Sequence, residues 1–108
     1  MSITASTHGD WTILSLPARL DHEGAGALKA ALESLLGRPV AIDFAAVEYI
    51  TSFGFRVLLQ TEKEQRNKGG RLLLGNLSEP VLRFFEIAGL DQLFKFAPDL
   101  QASLTTSP

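Results

Sequence analysis

The sequence predicts a small α/β domain whose mixed sheet has parallel central strands and helices packed against it. A length of 108 residues suits one hydrophobic core and is too short for two. Strand-like and helix-like segments follow one another in the order β-β-α-β-α-β-α, and each β-α-β crossover requires parallel strands with a right-handed connection. We therefore predict a single domain over residues 1–108, with a polar C-terminal tail from about residue 103.

The first two predicted strands form a hairpin, which makes the sheet mixed. Residues 3–7 and 11–16 are short segments with β-branched and apolar residues, and Gly9 and Asp10 between them are typical of a tight turn. Pro17 has no backbone N–H to donate, so it ends this pairing or places it at a sheet edge.

Three helices are predicted from apolar periodicity and from the residues at their ends. The first follows Asp21, a preferred N-cap, and closes at Gly37. The second covers about residues 53–68; its first half is apolar, and its polar second half is expected to extend into solvent. The third begins after Ser78, a capping hydroxyl followed by an early acid and proline, and stops at Gly89.

The remaining strands lie between and after these helices. Residues 40–44 and 72–74 are almost wholly apolar, as expected of strands covered on both faces. Residues 93–96 suggest a short edge strand, and Pro98 and Asp99 suggest the start of a last helical turn.

Composition argues against several classes of function. The net charge is −2, whereas non-specific nucleic-acid binding needs a basic face, and the loose basic group Lys63, Arg66, Lys68 and Arg71 is interpreted as solvated surface. The chain has no cysteine and only two separated histidines, so we expect no metal and no cofactor. It shows neither a run of about 20 apolar residues nor a signal peptide, so we expect a cytoplasmic protein that does not insert into the membrane.

Three segments together resemble the STAS domain, the anti-sigma factor antagonist family. They are Val-Ala-Ile-Asp-Phe-Ala-Ala-Val-Glu-Tyr-Ile at 40–50, Gly-Gly-Arg-Leu-Leu-Leu-Gly-Asn-Leu-Ser at 69–78, and the run 81–94 with its Gly-Leu-Asp and Leu-Phe. Residues 16–32 are similar to the second strand and first helix of that family. The likeness covers nearly the whole chain in order, although no single segment is specific.

The resemblance also identifies a candidate site at the start of the second helix, where antagonists of the family read Asp-Ser-Ser-Gly-Leu-Gly. In the family, a partner that is both anti-sigma factor and kinase phosphorylates the second serine. In this chain the six positions are residues 51–56, and Phe53 occupies the phosphoacceptor position while Gly54 is retained. The resemblance therefore implies that the usual switch is absent or displaced onto Ser52 or Thr51. The implied partner-binding residues are Asp21, His22, Thr51, Ser52, Phe53, Gly54 and Arg56.

Several of these residues have a second interpretation. Thr51 and Ser52 could serve as helix caps rather than phosphoacceptors. Phe53 could pack inward or could be an exposed anchor for a partner. Arg56 could pair with an acid or lie along apolar surface. Asp21 and its two neighbours are better explained by capping than by catalysis.

The sequence thus predicts a non-enzymatic regulatory module that binds a kinase-type anti-sigma factor through residues 51–56. An alternative is an accessory STAS subunit of a bacterial phospholipid ABC transporter, with an ATPase as its partner. A further alternative is a phosphoswitch displaced to Ser52 or Thr51.

Overall fold

A five-stranded sheet lies between two unequal layers of helices. The structure is a computed structural model that describes residues 3–106. The strands are β1 (Thr4–His8), β2 (Trp11–Ser15), β3 (Arg19–Leu20), β4 (Pro39–Asp43), β5 (Tyr49–Ile50), β6 (Arg71–Gly75) and β7 (Phe96–Ala97). The helices are α1 (His22–Leu32), α2 (Ser52–Asn67), α3 (Glu79–Ile87) and α4 (Leu100–Thr106).

The predicted mixed sheet with parallel central strands is confirmed. Its strand order is β1-β2-β4-β6-β7, in which β1 pairs antiparallel with β2 and every other neighbouring pair is parallel. Leu14, Ile42 and Leu74 lie side by side in register across the three central strands. All three are buried beneath α1, α2 and α3, in the larger of two apolar clusters.

The opposite face of the sheet is covered by α4. Trp11 and Ile13 alternate with the residues that face the larger cluster, and they pack with Leu100 and Leu104. The prediction of a polar tail from about residue 103 was wrong for residues 103–106, because Leu104 is 4% exposed and belongs to this second cluster. Residues 107 and 108 of that tail lie outside the described residues.

The second half of α2 does not extend into solvent, contrary to the sequence prediction. The Thr61 hydroxyl donates to the Val57 carbonyl at 2.8 Å, and Gln65 is only 1% exposed. The amide of Gln65 accepts from Gly37 N–H and donates to the Arg38 and Arg71 carbonyls, each at 2.7 Å. These bonds satisfy the buried polar side chain, so a polar sequence is compatible with a buried helix face here.

Two element boundaries also differ from the sequence prediction. Helix α1 ends at Leu32, and the chain continues in turns to Gly37, which has φ 90°. The last edge strand is Phe96–Ala97 and not 93–96, because the chain before it places Phe94 in the core, 5.6 Å from the ring of Phe85.

Asn76 joins the C-terminal ends of two central strands to α4. Its φ of 59° lies in the left-handed region, which asparagine tolerates better than most residues. Its side-chain amide donates to Asp43 Oδ1 at 3.1 Å, and its side-chain oxygen accepts from Leu100 N–H at 2.9 Å. This residue therefore fixes where α4 begins.

Candidate functional site

The candidate site is built where two helices begin side by side. The two-residue strands β3 and β5 pair in parallel, with Arg19 opposite Tyr49 and Leu20 opposite Ile50. Because α1 and α2 each start directly after these strands, their N-caps, Asp21 and Thr51, follow in the same register. Neither strand is predictable from the sequence, since two residues are too few to show alternation.

The two helix starts share one local design. Asp21 accepts from the N–H of Gly24 at 3.0 Å, and Thr51 accepts from the N–H of Gly54 at 3.2 Å. A Cβ on either glycine would lie 2.7 Å from a β3 carbonyl oxygen, that of Arg19 or Leu20 respectively. Only glycine allows both helices to approach β3 this closely.

Thr51 uses its hydroxyl twice. Besides capping α2, the hydroxyl donates to the Leu20 carbonyl at 3.2 Å, and the Thr51 N–H donates to the same carbonyl at 3.1 Å. Thr51 is half-buried, whereas Ser52, the first residue of α2, is exposed. Of the two candidate phosphoacceptors, Ser52 is therefore the accessible one.

Phe53 packs partly inward and is partly open to solvent. Its half-buried ring contacts the larger apolar cluster and lies over exposed His22, with ring centroids 4.6 Å apart and planes 30° apart. The stack joins the first turns of α1 and α2. We call Asp21, His22, Thr51, Ser52 and Phe53 the paired-cap surface.

Charge at the paired-cap surface is balanced by Arg19. Its Nε lies 3.7 Å from Asp21 Oδ2, and its guanidinium lies 5.4 Å from the centroid of the Tyr49 ring. The pKa of Asp21 is lowered from its ordinary 3.8, mainly by the hydrogen bond from Gly24 N–H, with Arg19 adding to the effect and desolvation opposing it. An ionised Asp21 also suits the positive end of the α1 dipole.

An apolar groove of about 300 Å³ adjoins the paired-cap surface. Two of its side chains are unusually exposed for their type: Tyr49 at 47% and Ile87 at 78%. Phe55 and Phe84 form its half-buried floor. Ile87 lies off the apolar stripe that the sequence indicated for α3, so only its exposure in the fold shows that it belongs to this groove.

The other predicted site residues take clear positions. Gly54 is buried beneath the start of α2, and Arg56, two residues further along, is exposed. Across residues 3–106, Arg56 makes no ion pair with an acid. The same residues contain no group of histidine, aspartate or glutamate suited to hold a metal ion, and none of their helices is long and apolar enough to cross a bilayer.

Comparison with known proteins places this architecture in a family. The STAS domain model matches residues 2–103. The chain is 30% identical over 110 residues to the anti-sigma-F factor antagonist RsfB of Mycobacterium tuberculosis, covering 97% of this chain and 88% of that protein. It is 33% identical over 82 residues to the anti-sigma-B factor antagonist of Bacillus subtilis, covering 74% of this chain and 75% of that protein.

Solved structures agree with the fold. A crystal structure of an anti-sigma factor antagonist from Mycobacterium paratuberculosis has a TM-score of 0.79 and 25% identity, covering 96% of this chain and 91% of that one. The phosphorylated Bacillus cell fate determinant SpoIIAA has a TM-score of 0.73 and 19% identity, covering 98% and 100% of the two chains. The family model and the two bacterial relatives show that the chain belongs to the STAS domain family and resembles its anti-sigma factor antagonists.

Proposed function

We propose that this chain is a non-enzymatic regulatory module that binds a kinase-type anti-sigma factor through the paired-cap surface. The relatives named as anti-sigma factor antagonists support an anti-sigma factor as the partner. Because anti-sigma factors act on the transcription machinery, the proposed place of action is the cytoplasm.

The observation that carries the proposal is the stack of exposed His22 on half-buried Phe53 between two helix starts. It offers an aromatic anchor with polar groups beside it, and partner-binding energy concentrates on such residues. The groove with Tyr49 and Ile87 adds exposed apolar area beside this surface, and contiguous area of this kind is typical of interaction sites. Arg56, in the first turns of α2, is exposed and offers a cation to an acidic residue of the partner.

We also propose that binding is not controlled by the usual serine phosphorylation. Phe53 has no hydroxyl, and the Thr51 hydroxyl is held by two hydrogen bonds that a phosphate would break. A switch displaced within this segment would therefore have to use exposed Ser52. A phosphate there would add about −1.5 to −2 charges next to the paired-cap surface.

Affinity capture from the source organism tests the partner. The tagged chain should recover an anti-sigma factor with a serine-kinase domain, and Phe53→Ala should weaken that complex at least about tenfold because it removes the anchor. Leu35→Ala is the matched control, since Leu35 is likewise a half-buried apolar residue packed against the larger cluster but lies beyond the far end of α1 from the paired-cap surface. Recovery of an ABC transporter ATPase instead would favour the transporter alternative, and recovery of neither class would refute the proposal.

Phosphorylation is tested separately with the recovered kinase and ATP, followed by mass spectrometry. We expect no phosphate on the natural chain and a gain of phosphate at residue 53 in Phe53→Ser. Phosphate on Ser52 of the natural chain, lost in Ser52→Ala, would instead establish a displaced switch.

A further inference from the structure

A second cavity lies at the opposite end of the parallel strands from the paired-cap surface. It is bordered by Trp11 and Arg71, the first residues of β2 and β6, and by residues 92–95, which precede β7. These three strands are parallel, so the cavity sits at their N-terminal ends, whereas α2 begins beyond the C-terminal end of β4. With a volume of about 430 Å³, it is large enough for a small ligand.

The cavity is cationic in a protein of net charge −2. Three cationic side chains line it, Arg66, Arg71 and Lys95, against one acid, Glu62. Glu62 is engaged with Arg66 Nε at 3.6 Å. Neither Arg71 nor Lys95 has an ion pair within residues 3–106. The basic group Lys63, Arg66, Lys68 and Arg71 was interpreted from the sequence as solvated surface. Two of its members, Arg66 and Arg71, instead line one concave site together with Lys95.

The guanidinium of Arg71 is held in place by the Trp11 ring. Its central carbon lies 4.7 Å from the ring centroid, a cation–π distance, and Trp11 is 7% exposed. A stacked guanidinium keeps its N–H edge free for an anion while its face is occupied. Arg71 has no side-chain hydrogen bond to another described residue that would use this edge.

The short length of β7 opens the floor of the cavity. β7 pairs with β6 only at Leu74 and Gly75, so the first three residues of β6 have no strand on that side. The apolar side chains of Leu72, Leu93 and Phe94 line the cavity there. The site thus combines an anion-binding rim with an apolar wall.

We propose that this cationic cavity binds a small organic phosphate, with the phosphate on Arg66, Arg71 and Lys95 and the organic body against Leu93 and Phe94. Arginine and lysine together are the usual protein partners of phosphate oxygens. The site is independent of the proposed partner function, because it shares no residue with the paired-cap surface. The organic body could come from a nucleotide or from a sugar phosphate, and the test separates these sources.

Two-dimensional NMR titrations of the full chain with AMP, glucose 6-phosphate and inorganic phosphate test the proposal. Trp11 is the only tryptophan, so its indole N–H gives one resolved signal from a residue that lines the cavity. At least one organic phosphate should shift this signal and the backbone signals of residues 71–73, and should bind at least about tenfold more tightly than inorganic phosphate. The proposal would be overturned if the shifts were confined to other residues, or if inorganic phosphate bound as tightly as both organic phosphates.

Charge variants check that the cavity, and not the overall charge, is responsible. Arg66→Gln combined with Lys95→Gln should weaken binding at least about tenfold. The control combines Lys29→Gln with Arg83→Gln, which removes two exposed cations outside the cavity and should leave affinity unchanged. Equal loss in both double variants would mean that the phosphate senses only diffuse charge, and the proposal would then fail.

Discussion

Replacing Gln65 by methionine should destabilise the protein more than the loss of a solvent-exposed polar side chain would. Gln65 is 1% exposed, and its amide makes three hydrogen bonds of 2.7 Å to the backbone of Gly37, Arg38 and Arg71. Methionine has nearly the same length and volume, so the change removes the hydrogen bonds with little change in packing. It therefore isolates the polar contribution.

The expected cost follows from the three backbone groups left behind. Each net hydrogen bond is worth about 1 kcal/mol, which gives a loss of about 3 kcal/mol in the free energy of unfolding. Water entering from the partly open side would lower this to about 2 kcal/mol. For a domain of this size the midpoint of thermal unfolding should fall by about 8–12 °C.

Urea unfolding followed by circular dichroism measures the change, with Gln60→Met as the matched control. Gln60 lies on the same helix and is exposed, so its replacement changes helix propensity and polarity but removes no buried hydrogen bond. If the free energies of unfolding of the Gln65→Met and Gln60→Met variants differ by less than about 0.5 kcal/mol, the buried amide is not holding α2 to the sheet. That result would restore the picture of a helix whose second half is merely solvated.

Three further perturbations test the scaffold of the site. Gly54→Ala should destabilise by about 1–3 kcal/mol because its Cβ would meet β3 backbone, whereas Gly26→Ala, with open space around its Cβ, should stabilise by up to about 1 kcal/mol; urea unfolding of the two variants compares them. Asn76→Ala should cost about 1 kcal/mol more than Asn76→Gly, because both lose the side-chain hydrogen bonds but only alanine resists φ 59°; equal losses in thermal melts would contradict this. The lowered pKa of Asp21 means that its contribution to stability is present above the unfolded value of 3.8 and is lost as pH falls through the folded value. Asp21→Asn keeps a good cap without the charge, so its stability deficit relative to the natural chain should shrink between pH 7 and pH 3, and a constant deficit would show that the charge contributes nothing.

Much of the fold followed from local signals, and the failures have physical causes. The buried strands at 40–44 and 72–74 and the start of α3 were marked by apolar runs and by Ser78, and the structure contains them. Gln65 was wrongly predicted to be exposed because a hydrophobicity pattern counts an amide as polar whatever its hydrogen-bond partners are. Those partners lie 6 to 28 residues away in the sequence. The helix on the second face of the sheet was predicted only as a last helical turn, because α4 is short and only Leu100 and Leu104 mark its apolar side.

The candidate site was only half predictable for the same reason. The caps and Gly54 were visible in the sequence, but the pairing of the two helix starts depends on β3 and β5, which have two residues each. One sequence signal could have revealed it. The same five-residue pattern occurs at 20–24 and again at 50–54: an apolar residue, a capping residue, two residues of other types and a glycine.

In this repeated pattern, the capping residue and the glycine are required by the fold, whereas the two positions between them are not. At both helix starts the cap and the glycine are fixed by hydrogen bonds and by close approach to β3. The two positions between them make no comparable backbone contact, so the fold tolerates a serine or a phenylalanine there. The side chain of Phe53 contributes to both, because its half-buried ring packs against the larger cluster while its stack on the ring of exposed His22 belongs to the surface. The family resemblance assigns the acceptor position to residue 53, and on that assignment the acceptor hydroxyl can be lost without rebuilding the helix start that presents it.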